Sequence, residues 1–217
     1  MDKGIRHASA TAERIGLGPV HVDPELILRL QKYRQLETVP RAVKDVARRM
    51  AALAETLVEP QGWVWRGPVT RADPDGRAVI GHRLRFQSRT LARVLRDAAE
   101  TAIVLLTIGP KLERRAHELV GQEQFVEGLL LDTAGWAAVD ALIKDVRRRL
   151  AADARARGFR LTGRIAPGFA DWGLEEQRIL FSVFDGTNLS VHLTDACVML
   201  PRKSVSGVYG LIPIALS

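Results

Sequence analysis

The feature that most constrains the fold is an apolar run, Thr101-Ala-Ile-Val-Leu-Leu-Thr-Ile108, followed directly by Gly109-Pro110. A run of uncharged, mostly aliphatic and β-branched side chains is typical of a strand buried inside a sheet. Glycine followed by proline ends such a strand and allows a helix to begin. The run therefore predicts a buried strand with a helix immediately after it.

Further strands are predicted on both sides of this run. Residues 63–65 and 78–86 have strand character and flank Asp73-Pro-Asp-Gly76, a sequence that favours a turn. Extended segments are also predicted at 189–193 and 204–213, where Gly207 would let another backbone or a ligand come close.

Helical periodicity fills most of the remaining chain. The longest predicted helix spans 122–157, with Gly121 and Gly128 marking a break and a close approach and Gly158 ending it. Two N-terminal helices are expected to cover one side of the sheet, with binding of a partner as the alternative. The shorter predicted helices span 24–34, a segment after Pro40, 88–97 and 174–184.

The order of these elements predicts an α+β fold, a mostly antiparallel sheet with long helices packed on it. Residues 1–60 are expected to form an N-terminal arm and helical extension, and residues 61–217 the α+β domain. The length of 217 residues suffices for a substantial core.

Composition narrows the classes of function. The net charge is +7, and the excess of basic residues lies before residue 164, since residues 164–217 contain four Lys/Arg and five Asp/Glu. The arginine-rich helices therefore indicate solvated faces or a docking surface for an acidic partner, with no nucleic-acid signature. No signal peptide or membrane-length apolar run is visible, so we expect a cytoplasmic protein. One cysteine, Cys197, excludes an internal disulfide.

The segment Arg164-Ile-Ala-Pro-Gly-Phe-Ala-Asp-Trp172 is the strongest candidate for a binding site. Proline and glycine favour a sharp turn that leaves backbone groups bare for a ligand. The arginine suits a carboxylate or phosphate, and Phe169 and Trp172 suit an apolar ring. The alternative is a structural loop whose arginine pairs with a nearby acid and whose two aromatic side chains belong to the core.

This segment and the later Leu193-Thr-Asp-Ala and Ser204-Val-Ser-Gly-Val-Tyr209 motifs resemble the activation domain of cobalamin-dependent methionine synthase. The resemblance is specific from Arg164 to about Pro213 and looser from about Thr101 to Gly158. It implies a domain that binds S-adenosylmethionine. Its ligand-binding signature, Arg-x-x-x-Gly-Tyr with a later tyrosine, falls on Arg164, Ala166, Gly168, Phe169 and Tyr209.

The resemblance implies that the chain supports reductive methylation of a separate corrinoid protein, because it lacks a corrinoid signature of its own. S-adenosylmethionine would be its cofactor, and cobalamin would be reached only through the partner, a corrinoid-binding protein or methyltransferase. An electron donor is a candidate second partner. Whether the chain counts as an enzyme is left open, and no catalytic residue is assigned.

Two alternatives remain. The chain could be a docking or chaperone module for a corrinoid protein that does not bind S-adenosylmethionine, which Phe169 favours because it lacks the family tyrosine's hydroxyl. A methyltransferase with an unrelated substrate would need a general base, and none is evident. The scattered histidines predict no metal site. His192 and Cys197 are interpreted as structural residues.

Overall fold

A computed structural model of the chain describes residues 11–81 and 83–214. Positions 1–10 of the predicted N-terminal arm lie outside the described residues, as do two of the scattered histidines, His7 and His82. Among the described helices, none is long and apolar enough to span a membrane.

An antiparallel sheet forms the centre of the molecule, in the order β4-β3-β2-β5-β9-β6, with β1 added beside β2. The predicted buried strand is β5, which lies between β2 and β9 and is buried along almost its whole length. A separate two-stranded ribbon pairs β7 with β8. The strands are β1 (Glu13–Arg14), β2 (Gln61–Ala72), β3 (Arg77–Ile80), β4 (Leu84–Gln87), β5 (Glu100–Thr107), β6 (Phe159–Leu161), β7 (His192–Leu193), β8 (Met199–Leu200) and β9 (Ser204–Pro213).

In the described residues six α-helices accompany the sheet, and they confirm the predicted α+β class with long helices on an antiparallel sheet. The long helix breaks after Gly121 and ends at a positive-φ Gly158, as the sequence predicts. The helices are α1 (Pro24–Leu30), α2 (Arg41–Leu57), α3 (Arg89–Leu95), α4 (Lys111–Gly121), α5 (Phe125–Ala156) and α6 (Gln177–Phe181), with 3-10 turns at 36–38, 174–176 and 182–184.

The sheet separates two apolar clusters. The first contains β-strand residues such as Val104 and Tyr209 together with α1, α2, α4 and α5. The second contains Ile103 and Val208, which point to the opposite face, with α3, α6 and the segment around Trp172. Alternate residues of one strand therefore pack in different clusters, as expected of a strand that is covered on both faces.

The N-terminal helices lie on the same side of the sheet as α5. Helix α2 packs against α5, α1 packs against both α2 and α5, and α5 contacts β5 and β9. Asp23 caps α1 as expected, because its side chain accepts a hydrogen bond from the Glu25 N–H at 2.8 Å. Side chains of α1 and α2 share one buried cluster with Val64 and Leu106 of the sheet, so these helices and α5 together cover this side of the sheet, as predicted.

The prediction of a single strand at 78–86 is wrong. Gly81 has a φ of +58°, and the chain reverses between β3 and β4, whose register pairs Ile80 with Leu84. The predicted turn at 73–76 is present, with Gly76 donating to the Asp73 carbonyl at 3.0 Å. The predicted helix at 174–184 is also less regular, since only α6 is α-helical and 3-10 turns flank it.

Candidate functional site

The candidate segment begins where β6 leaves the edge of the sheet. Beyond Leu161, which pairs with Leu211, the chain stays beside β9, and Ile165 exchanges hydrogen bonds of 3.1 and 2.7 Å with Val208. The register shifts by one residue between these two pairs. Gly163 and Arg164 therefore lie together opposite Tyr209, as in a β-bulge.

Arg164 reaches along this edge of β9. Its Nη1 donates to the Ser206 carbonyl, and its stem crosses Gly207, where a Cβ would lie 2.5 Å from the Arg164 Cγ. Gly207 was expected to admit a backbone or a ligand, but the group that approaches it is the Arg164 side chain. Any side chain at position 207 would displace the arginine.

Arg164 remains open to a ligand. The side chain is exposed, and within the described residues it forms no ion pair with a carboxylate. A guanidinium has five N–H donors, and only one of the hydrogen bonds described here uses them. The structural alternative, in which the arginine pairs with a nearby acid, therefore does not hold for Arg164.

Tyr209 lies next to Arg164 but belongs to the core. Its side chain is 1% exposed and packs in the cluster beneath α5. Burial raises the pKa of the Tyr209 phenol, while the positive charges of Arg164 and Arg147 act in the opposite direction. Two arginines therefore act on the phenol, Arg164 from the segment that runs beside β9 and Arg147 from α5.

The predicted turn at 166–169 is present and closed. Gly168 adopts a φ of +84° and donates to the Trp172 carbonyl at 2.8 Å, and Phe169 donates to the Ala166 carbonyl at 3.2 Å. The expectation that its amides lie bare is therefore wrong for these two N–H groups, because both are used inside the turn. The carbonyl of Phe169 accepts from the Trp172 N–H at 3.0 Å.

The two aromatic side chains of the segment have opposite environments. Trp172 is 1% exposed and packs edge-on against Phe86, with ring centroids 5.3 Å apart. Phe169 is 68% exposed, the largest exposure among the bulky apolar side chains described. Only Phe169 therefore presents an apolar ring to an approaching molecule, and Trp172 is a core residue.

Two carboxylates that the sequence did not single out hold the turn in place. Asp171 accepts from the Ser88 hydroxyl at 2.9 Å and from the backbone N–H groups of Arg89 and Thr90 at 2.6 and 3.1 Å. Hydrogen bonds from Thr90, then Ser88 and the Arg89 backbone, hold the pKa of Asp171 well below its usual range. Glu176 accepts from the Trp172 indole at 2.7 Å and from the Gln87 N–H at 3.1 Å.

No local sequence signal could have shown that Asp171 binds the N-terminus of α3, since its hydrogen-bond partners are 81 to 83 residues away in the chain. Ser88 at the start of α3 is a recognisable N-cap, and its side chain accepts from the Leu91 N–H at 3.1 Å. The contact between that cap and the candidate segment depends on the assembled sheet.

The two other residues considered, Cys197 and His192, differ in burial. Cys197 is buried, as predicted, and His192 lies exposed on β7. In the parts of the chain that the structure describes, no group of three or more His, Cys, Asp or Glu side chains could hold a metal ion.

Comparison with known proteins gives a match in structure but not in sequence. No protein-family model matches the chain, and no curated protein matches it. Among solved structures, the fold is similar to that described as the crystal structure of the MetH reactivation domain bound to AdoHcy, with a TM-score of 0.65 and 14% identity. The match covers 96% of this chain and 80% of that chain. The chain therefore has the fold of that reactivation domain.

Proposed function

We propose that this chain binds S-adenosylmethionine at the Arg164–Tyr209 edge of β9 and supports reductive methylation of a separate corrinoid protein. The observation that carries the proposal is an exposed Arg164, without a carboxylate partner among the described residues, next to the 166–169 turn in a fold whose solved counterpart was crystallised with AdoHcy. AdoHcy is the product that S-adenosylmethionine leaves after it gives up its methyl group.

Each group in the segment has a distinct part in this proposal. Arg164 pairs with the ligand carboxylate through its free N–H donors. The turn at 166–169 holds the adenosyl group, with the exposed Phe169 ring as an apolar surface. Tyr209 is buried beneath α5, so its part is to support the strand beside Arg164 from the core; it does not cover the sulfonium as the resemblance implied. Since Arg164 is itself anchored on the Ser206 carbonyl, the carboxylate is held at a fixed distance from the sheet.

The role of the chain in methyl transfer is positional. One electron from a separate donor and one methyl cation from S-adenosylmethionine convert the partner's cob(II)alamin to methylcobalamin, and S-adenosylhomocysteine is released. This chain's contribution is to hold the methyl donor in one orientation against the docked partner. The corrinoid protein and the electron donor are both separate molecules in this proposal.

A docking module without a sulfonium site is the second candidate. Two observations favour it: Phe169 carries no hydroxyl, and the N–H groups of Gly168 and Phe169 bond within the turn. In that case Arg164 would have a structural role, filling the space above Gly207. The two candidates differ in whether the isolated protein binds S-adenosylmethionine.

Isothermal titration of the purified protein with S-adenosylmethionine separates them. We expect binding by the native protein, weakened about tenfold or more in Arg164→Ala because a charge-assisted hydrogen bond contributes roughly 1.5–3 kcal/mol. Arg155→Ala is the matched control: Arg155 is also exposed, has no ion pair in the described part of the chain, and lies on α5, outside the segment.

The outcomes are distinct. Binding that is lost in Arg164→Ala and retained in Arg155→Ala supports the proposal. If the native protein binds nothing at millimolar ligand, the docking-module function stands instead. Equal losses in both variants would place the ligand elsewhere, held by general positive charge rather than by Arg164.

A further inference from the structure

A groove between α4 and α5 exposes an apolar stripe outside the candidate site. Three of its members, Phe125, Leu129 and Trp136, occupy one face of α5, and Val120 of α4 faces them. Their exposures are 61%, 53%, 43% and 42% respectively. The groove has a volume of about 810 Å³. A soluble protein rarely leaves large apolar side chains clustered in this way without a use for them.

The spacing of the stripe fits a helix. Positions 125, 129 and 136 are separated by four and seven residues, so they line up on one side of α5. They extend along roughly 17 Å of helix axis at the standard rise per residue. A partner helix of about three turns would cover them, lying in the groove between the two helices.

The floor of the groove is rigid. Lys203 is buried, bonds Asp132 Oδ1 at 2.7 Å, and lies 4.4 Å from the centre of the Trp136 ring. Its stem passes beneath α5 at Gly135, where a Cβ would come within 2.8 Å of the Lys203 Cε. Trp136 is therefore held in one orientation before any partner arrives, which lowers the entropic cost of binding.

The charges of the groove are unbalanced. Its acids are already engaged: Asp132 bonds Lys203, Glu118 bonds Arg115 at 3.0 Å, and Glu113 accepts from the backbone N–H groups of 202 and 203. In contrast, the side chains of Arg114 and Arg202 line the groove, are exposed and have no carboxylate partner within the described residues. Glu113 keeps its negative charge, because backbone N–H groups do not neutralise a carboxylate. The lining charges without an ion-pair partner are therefore two positive and one negative, an excess of one positive charge.

From the apolar stripe and the two unpaired arginines, we propose that the α4–α5 groove docks an amphipathic helix of a partner protein whose apolar face is flanked by acidic residues. The apolar face covers Phe125, Leu129 and Trp136, and the acidic flank meets Arg114 and Arg202. This interaction does not depend on whether the chain binds S-adenosylmethionine.

Two synthetic helical peptides test the proposal by titration against the full chain. Both carry leucines at i, i+4, i+7 and i+11; one has glutamates on the flanks and the other has lysines. We expect the acidic peptide to bind about tenfold or more tightly than the basic one, with an affinity that falls as salt is raised. Binding of neither peptide, or equal binding of both, would overturn the proposal.

Substitutions test whether the acidic peptide binds in the α4–α5 groove. Leu129→Glu is expected to weaken the acidic peptide about tenfold or more, whereas Leu30→Glu, a similarly exposed leucine on α1, leaves it unchanged. Replacing both Arg114 and Arg202 by glutamate is expected to remove the preference for the acidic peptide. Unchanged affinity in Leu129→Glu contradicts the proposal. A second result would also contradict it: sedimentation that shows a dimer of the native protein and a monomer of Leu129→Glu, because a second copy of the chain would then occupy the groove.

Discussion

At Asp171 a single carboxylate joins the candidate turn to the start of α3. The same side chain accepts from the Ser88 hydroxyl and from two backbone N–H groups of the first helical turn. The bonds favour the charged form, so the pKa of Asp171 lies below its usual range. Because the residue lies two positions after Phe169, its loss would loosen the turn as well as the helix.

This arrangement predicts a pH-dependent contribution to stability. The folded-state pKa is depressed, so the contribution is present above the unfolded-state value of about 3.8 and is lost as the pH falls towards the folded-state value. Asp171→Asn should therefore be less stable than the native protein at neutral pH. The difference in unfolding free energy should narrow as the pH falls below about 3.8.

Urea unfolding of both proteins over a pH series measures that difference. Asp195→Asn serves as the control, since Asp195 is also exposed and the structure gives its carboxylate no hydrogen bond among the described residues. A constant difference between Asp171→Asn and the native protein across the acid range would contradict the assigned role of the carboxylate.

At the scale of the elements, Gly135 shows that close packing outweighs helix propensity. Glycine inside a helix usually costs about 1 kcal/mol relative to alanine. Here a Cβ would lie 2.8 Å from both the Leu112 Cδ2 and the Lys203 Cε, and Lys203 is clamped by Asp132. Gly135→Ala is expected to lower the unfolding free energy by about 1–2 kcal/mol, because overpacking outweighs the gain in propensity.

Gly121→Ala is the matched control for that prediction. Gly121 is also helical, and a Cβ there would meet no atom within 4 Å. We expect this variant to be as stable as the native protein or more stable. Thermal unfolding of the two variants checks both expectations, and a stabilised Gly135→Ala would show that Lys203 does not restrict the space beneath α5.

The elements that the sequence predicted well are those with long, uninterrupted patterns. Strand β5 and helix α5 fall where the apolar run and the helical periodicity place them. The hairpin of β3 and β4 was missed for a physical reason. Strand β3 ends at Ile80 and β4 begins at Leu84, so buried positions 78, 80, 84 and 86 are all even-numbered and the apolar alternation continues from one strand into the next.

The candidate site was predictable only in part. Arg164, Ala166, Gly168 and Phe169 are close in sequence, and the Gly207 position was recognisable as a close approach. That Trp172 is buried while Phe169 is exposed depends on contacts with Phe86 and Glu176 that arise from tertiary packing. The burial of Tyr209 likewise follows from the cover that α5 provides.

At the scale of the whole molecule, β9 connects the two surfaces to which functions are proposed. Lys203, at the floor of the α4–α5 groove, directly precedes β9, and Ser206, Gly207 and Tyr209 of the same strand contact or face Arg164. The chain just after β5 is bonded to the same residue, since the Ile108 N–H donates a hydrogen bond to the Lys203 carbonyl at 3.2 Å. A partner helix in the groove and a ligand at the strand edge would thus be held by one rigid sheet.

The central claim is that S-adenosylmethionine and its product bind at the Arg164 edge of β9. A crystal structure of the full chain with millimolar AdoHcy tests it most directly. We predict the ligand along that edge, with its carboxylate on the Arg164 guanidinium and its adenosyl group against the 166–169 turn. A ligand bound in the α4–α5 groove, or none at the Arg164 edge, would contradict the claim.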